Sequence, residues 1–124
     1  MLNIIAVFIG GGFGSICRYG ISRWMLPVSN GSYPLGTLIS NMLSSAILAV
    51  LIYFLVVRFH LNTPVKLMLI TGFCGGFSTF STFSYETFEL MRSGNLGFAV
   101  ANVLISVVMC MVLIGLVYYL FRSA

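Results

Sequence analysis

Gly72-Phe73-Cys74-Gly75-Gly76-Phe77-Ser78-Thr79-Phe80-Ser81-Thr82-Phe83-Ser84 carries no charge, yet it makes a poor continuous helix. Two adjacent glycines and five hydroxyl residues in thirteen positions lower helix propensity and compete for backbone hydrogen bonds. Lys66 and Glu86 bracket 19 uncharged residues around it, long enough to cross a bilayer. The midpoint of a span from about Lys66 to Met91 falls near Ser78. Irregular backbone at that depth survives only when protein encloses it or when it lines a wet cavity, because hydrocarbon offers no hydrogen-bond partner. The stretch therefore predicts a membrane helix with a break near residues 75–78, and a site for an ion or other polar cargo at that break.

The rest of the chain agrees with a membrane setting. It has 124 residues, 60% of them hydrophobic and only 6% charged, and its mean hydropathy is +1.10. Soluble proteins carry roughly a quarter charged residues, so a water-soluble globular domain is excluded. Charges and turn residues cut the chain into four apolar spans, at about 2–25, 35–57, 66–91 and 96–121, which together form a single integral membrane domain over residues 1–124. The stretch Pro27 to Pro34 reads as the first loop, Asn62-Thr63-Pro64 as the second turn and Arg92-Ser93-Gly94-Asn95 as the third. The fold class is all-α, multi-pass, with both termini on one side.

Several functions fall away on composition. The net charge of +4 comes from scattered basic residues, not from the clustered patch that phosphate binding needs, so no nucleic-acid partner is expected. Cys17, Cys74 and Cys110 are odd in number and each lies in an apolar stretch, which argues against a disulfide framework. No basic residue precedes the first apolar run, so a removable leader is not expected. Asp is absent, the lone His60 is in a loop, and no nucleophile has a base at a recognisable spacing, so the chain does not read as an enzyme.

Basic residues in loops normally fix orientation. Here Arg58, Lys66 and Arg122 fall on one side and Arg18, Arg23 and Arg92 on the other. Three against three gives little preference, and although six charges can balance by chance, the tie predicts insertion in both orientations and an antiparallel homodimer. Such a pair reproduces with two identical chains the inverted repeats that many transporters encode in one. Gly10 with Gly14, Gly72 with Gly76, and Gly36 with Ser40 and Ser44 have the small-xxx-small spacing that lets membrane helices approach closely.

The chemistry is carried by neutral polar groups. The freed carbonyls around Gly75 to Ser78 suit a small cation such as sodium. Phe77, Phe80 and Phe83 recur every three residues with hydroxyls between them. This suits a core-facing stripe, but ring edges carry a positive rim and hydroxyls donate O–H, so together they also suit an anion. Thr37, Asn41 and Ser45 share one face of the second span, and Asn102, Ser106 and Cys110 one face of the fourth. Interhelical hydrogen bonding explains Asn102 as well as function does; the small residues around Asn41 favour function there. Arg18 and Glu86 border apolar spans, lining a vestibule or pairing near the interface.

These motifs resemble the Fluc/CrcB fluoride channels of microorganisms along nearly the whole chain. The matching residues are Gly11-Gly12-Phe13-Gly14 with Arg18-Tyr19, Gly36-Thr37-Leu38 with Asn41, and the long run from Gly72 to Phe83. Ser78 replaces the usual Thr, and Ser44 a common Gly. The resemblance implies a dual-topology antiparallel dimer with two pores, in the cell (inner or plasma) membrane, that exports fluoride passively. It implies fluoride contact through the edges of Phe80 and Phe83, helped by Asn41 and nearby hydroxyls. It also implies a structural, non-transported sodium held by the Gly75 and Ser78 carbonyls of both subunits. With these, Ser81, Thr82, Thr37, Ser106 and Glu86 are assigned to the fluoride pathway. Two other readings compete: a small multidrug-type proton-coupled exporter, for which Glu86 is the sole candidate carboxylate, and a non-conducting membrane subunit.

Overall fold

The computed structural model describes residues 1–123. It contains α1 (Leu2–Ser29), α2 (Leu35–Arg58), α3 (residues 63–77), α4 (Phe80–Arg92) and α5 (Leu96–Arg122). Among the described residues, four helical stretches are long and apolar enough to cross a membrane, the third being Thr63–Arg92, which comprises α3 and α4. Ser78 (φ −80°, ψ 159°) and Thr79 (φ −153°, ψ 118°) are extended and separate α3 from α4.

The turns follow their residues. α1 runs past the expected end at residue 25, through Pro27, to Ser29, because a proline ring holds a helical φ even where it removes an N–H. Asn30 (φ 49°) and Gly31 (φ 71°) then end it in the left-handed region. Asn62 caps α3, its Oδ1 accepting from the Val65 N–H at 3.4 Å, with Pro64 in the first turn. Ile52–Arg58 at the end of α2 and Leu67–Cys74 within α3 are wound as wider π turns.

Small and polar residues share the interior with a few apolar ones such as Phe77 and Leu38. Ser40, Ser44, Thr37, Asn102 and Ser106 are buried, whereas Phe8 and Trp24 point outward. Lipid tails are as apolar as Leu, so the helices gain by close backbone approach and by hydrogen bonds, not by hiding large side chains. The tightest approach joins α1 to α3. A methyl group on Gly10 would strike the Met68 carbonyl, one on Gly14 the Phe73 carbonyl, and one on Gly76 the Gly11 carbonyl. The two small-xxx-small pairs therefore face each other. α2 packs on α5, and α4 lies against α5 with a lighter contact to α2.

Candidate functional site

Accounting for backbone groups around Ser78 locates the site. In a continuous helix the Thr79 N–H would donate to the Gly75 carbonyl and the Thr82 N–H to the Ser78 carbonyl. Instead, Thr79 N–H donates to Asn41 Oδ1 at 2.8 Å and Thr82 N–H to Thr79 Oγ1 at 3.3 Å. The Gly75 and Ser78 carbonyls thus lose their helical donors. Their neighbours are partnered: the Cys74 carbonyl keeps its helical donor, the Ser78 N–H at 3.0 Å, and also accepts from the Ser44 and Ser78 hydroxyls, each at 2.9 Å, while the Gly76 carbonyl accepts from Arg18 Nε at 3.2 Å. A methyl group at Gly75 would meet nothing within 4 Å, so this position faces open space.

Gly75 and Gly76 themselves remain helical, with the extended residues starting at Ser78, so the expected interval of 75–78 and the observed one share only Ser78. Gly76 is small because α1 passes against it, not because the backbone unwinds there.

Beside the extended pair, a cavity of about 260 Å³ has Asn41, Phe80, Phe83 and Ser106 among its lining residues, together with Ser45, Ser78, Thr79, Val107 and Cys110. The Phe80 and Phe83 rings lie 5.8 Å apart, inclined at 41°, and Phe80 is 80% exposed. The wall combines aromatic rings, hydroxyls and a carboxamide. Asn41 Nδ2 donates to the Thr79 carbonyl at 3.4 Å, which uses one of its two N–H groups. Such groups can replace part of an anion's hydration shell without a fixed positive charge.

A second cavity, of about 570 Å³, opens between the turn before α2 and the end of α4, and contains Tyr33, Thr37, Glu86 and Glu89. The Thr37 hydroxyl donates to Glu86 Oε1 at 2.9 Å, and Glu86 Oε2 and the Tyr33 hydroxyl are buried without a partner among the described residues. Burial pushes the Tyr33 phenol above its ordinary range. Glu89 pairs with Arg92 at 2.7 Å on the exposed surface, a contact worth little.

The eight side chains expected along an anion's path divide accordingly. Asn41, Phe80, Phe83 and Ser106 share the smaller cavity; Thr37 and Glu86 meet in the larger one. Ser81 and Thr82 line neither cavity and belong to the cap of α4: the Thr79 hydroxyl donates to Thr82 Oγ1 at 3.1 Å, and Ser81 Oγ lies 3.4 Å from it. Thr79 is the residue that sequence reasoning missed. Its signal is a hydroxyl residue at the start of a helix, where its side chain can accept from an N–H three residues on.

The comparisons with known proteins point one way. The profile of the family described as "CrcB-like protein, Camphor Resistance (CrcB)" matches residues 5–118. A protein of Pyrococcus abyssi named fluoride-specific ion channel FluC is 45% identical over 118 residues, covering 95% of this chain and 94% of its own. The protein of the same name from Coxiella burnetii (strain CbuK_Q154) is 39% identical over 110 residues, covering 88% and 89%. That of Serratia proteamaculans is 42% identical over 118 residues, covering 95% and 92%.

Proposed function

The chain belongs to the CrcB-like protein family, and on that footing we propose that it is a fluoride-specific ion channel, a multi-pass membrane protein through which fluoride leaves the cytoplasm passively. The observation that carries this reading is the gathering of Asn41, Phe80, Phe83 and Ser106 around one cavity beside extended backbone.

The energetics explain why that wall suits fluoride. A bare ion in a low-dielectric medium costs tens of kcal/mol. Each hydrogen bond to a charged group returns roughly 1.5–3 kcal/mol, so several donors must act in succession. Fluoride is small and strongly hydrated, and therefore needs the replacement shell most. A row of Arg or Lys would trap it; neutral donors and ring edges hold it weakly enough to let it go, as conduction requires. The interruption at Ser78 and Thr79 is read as a break near the middle of the bilayer, enclosed by protein.

The donor set at that break also fits a structural sodium. Gly75 and Ser78 present carbonyls that have lost their helical donors, the oxygen ligands that a hard monovalent cation takes, and Gly75 faces open space. When bound, sodium would supply a fixed positive charge and a joint between subunits. The assembly proposed is an antiparallel homodimer in the cell (inner or plasma) membrane, supported by the even split of six basic residues between the two faces. In it, the cavity left open in one chain is closed by a second.

A fluoride-selective electrode on liposomes containing the purified protein tests the function, with chloride recorded in parallel. Fluoride efflux far above that of empty liposomes is expected; no efflux of any ion would overturn it.

A further inference from the structure

A chain of hydrogen bonds runs from one wall of the smaller cavity to the other without passing through it. The Ser106 hydroxyl donates to Asn102 Oδ1 at 3.5 Å, Asn102 Nδ2 donates to Thr87 Oγ1 at 2.9 Å, and the Thr87 hydroxyl donates to the Phe83 carbonyl at 2.8 Å. Asn102 is 1% exposed, and neither it nor Thr87 lines the cavity. The directions are consistent: the single Thr87 hydrogen goes to Phe83, and its lone pair accepts from Asn102. A threonine bonded to the carbonyl four residues back is common in helices and by itself only satisfies a hydroxyl. Here, however, the same oxygen is tied to a buried amide on another helix. α4 is short, begins at an extended pair, and carries Phe83 within its second turn, so a fixed point one turn beyond sets how far that ring stands from Ser106.

We infer that Thr87 and Asn102 are positioning residues that fix α4 against α5 and thereby hold the Phe83 ring and the Ser106 hydroxyl at the separation at which an anion can pass from one to the other. The inference rests on the fluoride-channel reading.

Thr87→Val removes the relay hydroxyl at nearly constant shape, Thr87→Ser keeps it, and Thr87→Val combined with Asn102→Leu replaces both partners by apolar groups. Flux is normalised to the amount of dimer recovered and measured against fluoride concentration. Thr87→Val should shift the half-saturating fluoride concentration by about fivefold, Thr87→Ser should restore it to within about twofold, and the double variant, which also frees the Ser106 hydroxyl from Asn102 Oδ1, should shift it at least as far as Thr87→Val. If Thr87→Val misfolds, the double variant, which leaves no amide unpaired, is read against Thr87→Ser. A lower amplitude at an unchanged half-saturating concentration, or equal defects in the Val and Ser variants, would overturn the relay. Absence of fluoride efflux from the unmodified protein would instead remove the channel reading itself.

Discussion

Asn41 on α2 replaces the helical neighbours of Thr79, its Oδ1 accepting from the Thr79 N–H at 2.8 Å and its Nδ2 donating to the Thr79 carbonyl at 3.4 Å. One side chain thus satisfies both backbone groups of a residue that no helix holds. In hydrocarbon, where water cannot take their place, such a substitution would be what allows an extended pair inside a membrane crossing.

Asn41→Leu should consequently unsettle the whole site. Two backbone groups lose their partner, at about 1–3 kcal/mol each, so the variant should melt in detergent well below the unmodified protein and lose fluoride efflux. Thermal unfolding followed by loss of the folded-protein peak in size-exclusion chromatography reads the first effect, and liposome efflux the second.

The contact between α1 and α3 predicts a sharp contrast among glycines. Gly10→Ala and Gly14→Ala drive a methyl group into the Met68 and Phe73 carbonyls, which are backbone and cannot swing away, at a cost of about 1–3 kcal/mol or more. Gly12→Ala, where nothing lies within 4 Å, should be within about 0.5 kcal/mol of neutral. Yield of folded protein from membranes distinguishes the three.

Much of this was legible in the sequence, and the limits are physical. Charges are sparse enough that Arg58, Lys66, Arg92 and Arg122 mark the ends of the second, third and fourth apolar runs, whereas Arg18 and Arg23 fall inside α1 and do not mark its end. Of the i, i+4 polar faces Thr37, Asn41, Ser45 and Asn102, Ser106, Cys110, the last two residues of each line the smaller cavity, whereas Thr37 lies in the larger one and Asn102 in neither, because helical spacing sets a face but not how far along it a cavity reaches. The π turns at 52–58 and 67–74 were not legible, since they depend on how neighbouring helices settle. Nor was the position of the extended pair: Gly75 and Gly76 look like helix breakers, but Gly76 is small to admit α1, and the interruption starts where Asn41 and the Thr79 hydroxyl provide alternative partners. Ser81 and Thr82 read as path-lining hydroxyls because sequence shows their chemistry and not the cap that engages them.

The carbonyls of Gly75 and Ser78 predict a dependence on sodium. Protein purified and reconstituted with N-methylglucamine in place of sodium should lose fluoride efflux or dimer stability, and adding sodium should restore both. Equal efflux and equal dimer recovery in the two preparations would remove the cation from this site.

Balanced loop charge predicts that both orientations coexist in one membrane. A cysteine-reactive label that cannot cross the bilayer, applied to a chain carrying a single C-terminal cysteine in a background without Cys17, Cys74 and Cys110, should react with about half of the molecules from either side. Reaction from one side alone would rule out the antiparallel pair.

Fluoride efflux from liposomes carrying Phe80→Ile or Phe83→Ile bears most directly on how the ion is solvated. Isoleucine keeps an apolar side chain but has no positive ring edge, so each variant should lose at least about tenfold in efflux, equivalent to about 1.4 kcal/mol, while eluting at the same volume as the unmodified protein. Efflux equal to that of the unmodified protein in both variants would contradict the assignment of these rings to the path of the ion.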